Sequence, residues 1–414
     1  MNRETPLIAM KNQDILISGA GIAGPTLAYW LKRYGFNPTV VEKSPIPRQG
    51  GYIFGLDGKR GVEVLERMGL WPRVEQEKYE GYEYVFVDEA DRPITRFDVG
   101  VLTQEITGRP IVYMRRANLA RLLYECTRDS VEYIFGDSVR QLTEDANGAQ
   151  VAFESGNNRQ FDLVIGADGL HSDVRAITFG PEQRFKKYMG HYVAAYAIHD
   201  YPSQYGQVTF YTMPGKSVTL YHLKEGGVIA VFTFRHEQEL TYDSQDTQRQ
   251  KQILADIFSN KGWKVPELLE AMRTTSDFFF DVVSQIRMDA WFNGRIGLVG
   301  DAAYCPTLLT GYGSQLALVG AYILAGELKA AAGDYGTAFQ AYERELRPFV
   351  EQKHKNIKLL RQVVPGTAFE LWARNQVMKL MSIHAVALFM MKQTWGKVVA
   401  EESITLKDYE AVAN

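Results

Sequence analysis

Cysteine is almost missing from this sequence. Among 414 residues only Cys126 and Cys305 occur, far apart and in apolar or strand-end surroundings. Neither a disulfide framework nor a zinc site has support, no metal is expected, and a reducing cytoplasm fits. Long apolar runs are missing too. The longest late stretch, Ala385 to Met391, is bounded by His384 and Lys392, well short of the about 20 apolar residues of a spanning helix. The few apolar residues before Lys11 do not make a signal peptide, so a soluble protein without a transmembrane segment is expected. Nor is there an excess of one charge: 46 basic against 49 acidic residues leave −3, with no long block of like sign. Nucleic-acid binding therefore has no electrostatic basis. What remains is ordinary globular composition, 46% hydrophobic and 23% charged, with length for roughly two domains.

The first motif opens near the N-terminus. Asp14-Ile15-Leu16-Ile17-Ser18 reads as a buried strand, followed by Gly19-Ala20-Gly21-Ile22-Ala23-Gly24 and a helix with Leu27, Ala28 and Leu31 on one stripe, stopped by Gly35 and Pro38. Thr39-Val40-Val41-Glu42 is the next strand, with Glu42 eighteen positions after Gly24. In this context the glycines make a tight turn, let backbone approach a pyrophosphate and let helix pack on strand, while the acid accepts hydrogen bonds from a ribose. Ala23 and Lys43, beside these residues, join the candidate cofactor set. FAD and a nicotinamide dinucleotide both carry adenosine and pyrophosphate, so the motif leaves the ligand open.

Further on, a hairpin is expected over 79–96, and Ile111 to Arg116 forms a strand entering a helix. A cation at a helix start opposes the macrodipole, so Arg116 calls for an anionic neighbour, a phosphate or a surface carboxylate. The second motif is Asp162-Leu163-Val164-Ile165-Gly166-Ala167-Asp168-Gly169, a buried strand ending in an acid, with Ser172 or Asp173 capping the next helix. His171 reads most simply as a surface histidine. From His191 to Phe234 short strands rich in Tyr, Phe, Thr and Val point to an inserted antiparallel sheet, and 240–275 reads as helical. The third motif is Gly297-Leu298-Val299-Gly300-Asp301-Ala302-Ala303-Tyr304-Cys305-Pro306, running on to Gly311-Tyr312-Gly313-Ser314-Gln315 and a long apolar helix. A carboxylate at a strand end beside free helical N–H groups suits a polyol or anionic ligand. Helices are then expected over 335–363 and from Phe369 to Trp395. The second carries Met378, Met381, Met390 and Met391, which either pack on the body of the protein or line a pliable pocket.

The three motifs in this order resemble the FAD-dependent aromatic hydroxylases, the single-component class A flavoprotein monooxygenases related to para-hydroxybenzoate hydroxylase, over residues 14 to 350. Within that family the chain is similar to the tetracycline-inactivating monooxygenases, which add a C-terminal helix over the substrate site, as 369–395 would. The resemblance implies that Gly19, Gly21 and Gly24 surround the FAD pyrophosphate and that Glu42 holds its adenosine ribose. It places Arg116 at the FAD phosphate and ribityl region, Asp168 where FAD and transient NAD(P)H are both served, and Asp301 on the ribityl chain. Gly311 and Gly313, with Ser314 beside them, would aim backbone N–H groups at the flavin N1 and C2 carbonyl, where reduced flavin is negative. Three positions depart from the family pattern: Tyr304 replaces a histidine, Tyr312 a glutamine and Gln315 an asparagine. These changes bear on flavin motion and pocket shape more than on cofactor binding.

The implied fold is α/β, a Rossmann-like FAD-binding domain (1–75, 105–180 and 285–365) with an inserted, mainly antiparallel β-sheet substrate domain (76–104 and 181–284) and a C-terminal helical segment (366–414). The implied activity is NAD(P)H-dependent monooxygenation through a C4a-hydroperoxyflavin, hydroxylating an aromatic or enolic small molecule, a tetracycline-like antibiotic among the candidates. No side chain needs to act as a nucleophile, because the cofactor makes and breaks the bonds. Strand parity offers Phe210, Thr212, His222, Phe232, Phe234 and Arg235 for the substrate face. Two alternatives stay open: a flavin-dependent reductase of the same fold, and a non-enzymatic binder of aromatic ligands. A halogenase is disfavoured, since its Trp-x-Trp-x-Ile-Pro signature is lacking. Oligomeric state is left open, with a monomer the simplest expectation.

Overall fold

The computed structural model describes residues 10–47, 51–56, 59–79, 83–108, 111–243, 245–355, 364–393 and 404–411. Three consecutive, fully buried residues, Ile15, Leu16 and Ile17, leave no polar side for water, so their strand belongs inside a sheet covered on both faces. Asp14–Ser18 lies there, with parallel neighbours Asn37–Glu42 on one side and Leu163–Gly166 on the other. Glu132–Phe135 and Ile296–Leu298 extend the sheet outward, and Phe292–Asn293 closes one edge antiparallel. Chain order reverses beside the first strand, and the carboxyl ends of strands at such a switch point are where open α/β sheets bind ligands. The long helix Gly313–Ala330 crosses this sheet beside Ala23–Arg33 and is buried almost all round from Gln315 to Leu328. Its sequence suggests only one apolar stripe.

A second sheet has seven strands in the order Phe278–Ile286, Lys186–Ile198, Val228–Arg235, Lys216–His222, Gln207–Met213, Glu83–Val87 and Pro93–Asp98. The expected hairpin over 79–96 supplies its last two strands, paired antiparallel. All neighbours are antiparallel except Gln207–Met213 with Glu83–Val87. One face packs on two helices, Thr247–Phe258 and Val265–Thr274, which divide the expected 240–275 helical region. The other face packs on the antiparallel pair Ile53–Leu56 and Val112–Arg115, on the helix Val99–Thr107 and on the late helices. A three-stranded antiparallel sheet, Val139–Asp145, Gly148–Phe153 and Asn158–Phe161, occupies a region where the motifs give no element.

Late in the chain, Tyr335–Lys355 is a helix, while 356–363, like Arg48 to Gly50 and Trp395, lies outside the described residues. The expected helix from Phe369 to Trp395 is two helices, Ala368–Leu380 and His384–Met391, separated at Met381 to Ile383. The first starts with a capping box in which Thr367 and Glu370 satisfy each other's backbone N–H groups. Residues 404–411 are not helical. They form a strap that buries Ile404, Leu406 and Tyr409, the Tyr409 ring lying 2.2 Å from where a Cβ on Gly326 would sit. Among the described residues no helix is long and apolar enough to cross a membrane.

Candidate functional site

The carboxyl end of the parallel sheet opens into a cleft where the three motif loops meet. Gly19 has φ +109°, and a Cβ there would lie 2.6 Å from the Ala167 carbonyl oxygen, so the first turn touches the second motif directly. Gly24 stands behind the cleft. Its Cβ would lie 1.9 Å from the Gly19 carbonyl oxygen, which only glycine avoids. Gly21 is different: a Cβ there meets nothing within 4 Å and would project into space. The Glu42 carboxylate accepts from the N–H groups of Ala20 (2.8 Å) and Ser44 (2.9 Å), bracing the turn while keeping lone pairs for a ligand. Gly19, Gly21, Ala23, Glu42, Lys43, Arg116, Asp168, Asp301, Gly311, Gly313 and Ser314 all line this one cleft.

The charged groups deep in the cleft are incompletely satisfied by protein. Asp168 accepts from the Ser172 hydroxyl (2.5 Å) and the Val174 N–H (3.0 Å), yet burial still holds its carboxyl above the usual range. Burial raises Asp301 in the same way, against the pull of the Arg116 guanidinium. Arg116 begins the helix Arg116–Glu125, and the carboxylates that bear on it are Asp301 and Asp281, although its guanidinium makes no hydrogen bond among the described residues. A cation, two half-buried acids and glycine-lined backbone around one cleft suit a polyhydroxylated dianion such as FAD. The loop after Asp301 is pinned from outside: His354 Nε2 lies 3.2 and 3.1 Å from the carbonyls of Tyr304 and Cys305, and Gln285 donates to the Pro306 carbonyl at 3.2 Å. Thr307, in the cleft wall, has φ +104°, a costly conformation for a β-branched residue and one that clusters at ligand sites.

Not every expectation meets this geometry. Tyr304 turns away from the cleft: its hydroxyl accepts from the Tyr342 hydroxyl at 3.1 Å, and its ring packs on Trp291. Gly320 leaves it room, since a Cβ there would lie 1.9 Å from the Tyr304 hydroxyl. Gln315 is buried against Gly61, and the Tyr312 ring lies under the Lys353 ammonium at 4.2 Å. His171 is not a free surface side chain. Its Nδ1 lies 3.0 Å from Glu182 and its Nε2 3.0 Å from Asp281, and these two hydrogen bonds raise its pKa to about 10. As a cation it joins the second motif to the seven-stranded sheet at the cleft wall. An acid inside the apolar strand Phe278–Ile286 is the sequence signal for Asp281, whereas no sequence signal marks the strained Thr307.

The six substrate-face candidates do not share a face. Residues directly opposite across a sheet point the same way, and the register aligns Phe86, Phe210, Thr219, Val231, Ala195 and Phe279 in one row. The next row runs Thr212, Ser217, Thr233, Val193 and Asp281. Both rows end at cleft-lining residues, Phe279 and Asp281, so Phe210 and Thr212 are on the cleft side, as is Arg235 opposite His191. Phe232 and Phe234 are on the other side, fully buried against Leu254 and Phe258. His222 follows the parity of Leu220 in that same cluster and is buried, with Nδ1 accepting from the Gln204 N–H. The turn at 213–216 pairs even-numbered with odd-numbered positions, so even parity carried across it lands on the wrong side.

Known proteins agree with this architecture. A family model described as FAD binding domain matches residues 12–356. A flavin-dependent monooxygenase of Legionella longbeachae is 35% identical over 353 residues, 83% of this chain and 88% of that one. The chain belongs to the FAD-dependent monooxygenase family. An uncharacterized protein of Mycobacterium tuberculosis is 40% identical over 360 residues, covering 86% of this chain and 95% of its own. Among solved structures, the tetracycline destructase Tet(51) superposes with a TM-score of 0.80 at 30% identity, covering 95% of this chain and 99% of that one. As a monooxygenase of this family the protein is an enzyme and takes FAD as cofactor.

Proposed function

We propose that this monooxygenase uses NAD(P)H and O₂ to hydroxylate an electron-rich aromatic or enolic small molecule, and that a polycyclic phenol-enol of the tetracycline kind is the first substrate to test. One observation carries the reading: the three motif loops share a cleft whose far wall, Phe279 and Asp281, is the end of two side-chain rows on the open face of the second sheet. A cofactor in the cleft and a substrate on that face would meet there. The likeness to a tetracycline destructase supports the choice of first substrate.

In this reading Gly21 leaves room for the FAD pyrophosphate, Glu42 takes the adenosine ribose, Arg116 the phosphate and ribityl oxygens, and Asp301 the ribityl hydroxyls. The N–H groups of Gly313 and Ser314, in the first turn of the helix, with the Gly311 turn before them, would face the flavin ring and favour negative charge on it. Asp168, at the second strand end, would meet FAD and a transient NAD(P)H. Bound FAD supplies the redox chemistry, accepting hydride equivalents from NAD(P)H and activating O₂. The protein orients both partners, and apolar residues such as Phe210, Val231 and Phe279 keep water out.

The test is turnover of the purified flavoprotein under ¹⁸O₂ with a panel of tetracyclines, phenols and quinolones. The expected result is substrate-accelerated NAD(P)H oxidation with one labelled oxygen gained by the product. NAD(P)H consumption without label in any product, across substrates that accelerate it, would overturn the reading in favour of a reductase. Absence of flavin from the protein would favour a simple ligand binder.

A further inference from the structure

The late helices are apolar on both faces. Inward, Met378, Met381, Met390 and Met391 pack toward the open face of the seven-stranded sheet with Phe210, Tyr221 and Val231, which accounts for that side. Outward, Phe369 is 73% exposed, Trp372 59%, Leu380 51%, Ile383 54% and Phe389 64%. With Val377, these are six of the ten large apolar residues that the described structure exposes. They fall within 21 residues of chain, so they form a concentration and not the usual scatter.

Charge distinguishes what could cover them. From Leu371 to Ala400 the sequence contains no Asp or Glu but has Arg374, Lys379, Lys392 and Lys397, in a chain whose net charge is −3. Arg374 turns inward, donating to the Thr212 hydroxyl at 3.2 Å. Lys379 and Lys392 are exposed on the outer side. Among the described residues, the carboxylates beside the patch are engaged in local contacts: Glu370 caps the first helix by accepting from the Gly366 and Thr367 N–H groups, and Glu105 lies 3.0 Å from His384. A second copy docked about a two-fold axis would set this patch against itself and bring lysines together. An anionic bilayer meets the same pattern with opposite charge beside a boundary that takes Trp, Phe and Leu. Helices this short lie along such a boundary and do not span it.

We infer that the outer face of Ala368–Leu380 and His384–Met391 is a docking surface for an anionic lipid bilayer. Given the proposed aromatic substrate, docking sets the cover of the substrate face against a phase into which such molecules partition. That consequence rests on the proposed function; the docking itself does not.

The test is flotation of the FAD-loaded full-length protein with vesicles of phosphatidylcholine alone and of phosphatidylcholine with one quarter phosphatidylglycerol. The anionic vesicles should carry the protein at low salt and release part of it at high salt. The triple variant F369S/W372S/L380S should lose more than about tenfold in partition coefficient. The pair K379E/K392E should lose binding to the anionic vesicles selectively. Both variants should keep their FAD and their turnover of a dissolved substrate. Failure of the wild type to float would overturn the inference, as would flotation unchanged in the triple variant. A wild-type dimer that the triple variant dissociates, without flotation, would overturn it in favour of self-association. Because flotation needs no turnover, its failure is separable from failure of the proposed chemistry.

Discussion

In the parallel sheet, the groups that face the cleft are mostly placed by backbone: glycine turns at Gly19 and Gly311, and acids at or just beyond strand ends such as Glu42, Asp168 and Asp301. In the seven-stranded sheet they are placed by side-chain parity and by which face the helices happen to cover. A backbone-placed site tolerates few substitutions at its turns. A parity-placed site can exchange nearly any side chain, provided that the helix-covered face keeps its packing. The family's chemistry would then be held in the first sheet and its substrate choice in the second.

The sharpest way to break this contrast is at the glycines. Gly24→Ala should be the most damaging change, because the new Cβ meets a backbone oxygen at 1.9 Å that cannot move without the first strand. A loss of about 3 kcal/mol or more in urea unfolding, with no retained flavin absorbance, is expected. Gly21→Ala should leave the stability of the FAD-free protein near wild type, since its Cβ meets no protein atom within 4 Å. It should still weaken FAD binding, measured by titration. Equal damage to folding from both changes would show that the turn is only structural.

Next in size are two phenylalanines on the same sheet. Phe232→Ala empties a fully buried position between helix and sheet and should cost about 3–5 kcal/mol. Its effect on KM in whatever protein still folds should be small. Phe210→Ala, on the open face and stacked on Phe86 at 4.7 Å, should cost about 1 kcal/mol and raise KM by about tenfold. Reversal of that pattern would return the substrate to the face now assigned to the core.

The same contrast explains what could be read in advance. A fingerprint such as Gly19-Ala20-Gly21-Ile22-Ala23-Gly24 specifies its own geometry, because the steric need for each glycine is local. Six of the seven strands of the second sheet were also legible as strands, all but Phe278–Ile286. Their phase was not, since Phe232 and Phe210 are equally apolar and only the register through 213–216 assigns them to opposite faces. Tyr304 was misleading for a related reason. A family position predicts a place along the chain, but a large ring goes where there is room, and Gly320 supplies that room in the core. His171 escaped because its partners, Glu182 and Asp281, come from two other elements and are joined to it only by the tertiary fold.

His171 offers the smallest effect, and one whose sign is fixed. Its pKa is raised from the usual 6.5 to about 10, first by the hydrogen bond to Asp281 and then by that to Glu182. The stabilisation from this clamp is therefore complete below pH 6.5 and is lost as pH rises through about 10. The imidazolium is half exposed, so solvent screens the pair and only a modest difference is expected. His171→Asn should unfold at slightly lower urea than wild type at pH 6 to 8, and the two curves should converge above about pH 10. His222 serves as the control of opposite sign. Burial lowers its pKa to about 4, so its contribution is complete above pH 6.5 and fades as pH falls through about 4. A wild-type advantage over His171→Asn that persisted unchanged above pH 10 would show that the imidazole joins the two sheets by shape and not by charge.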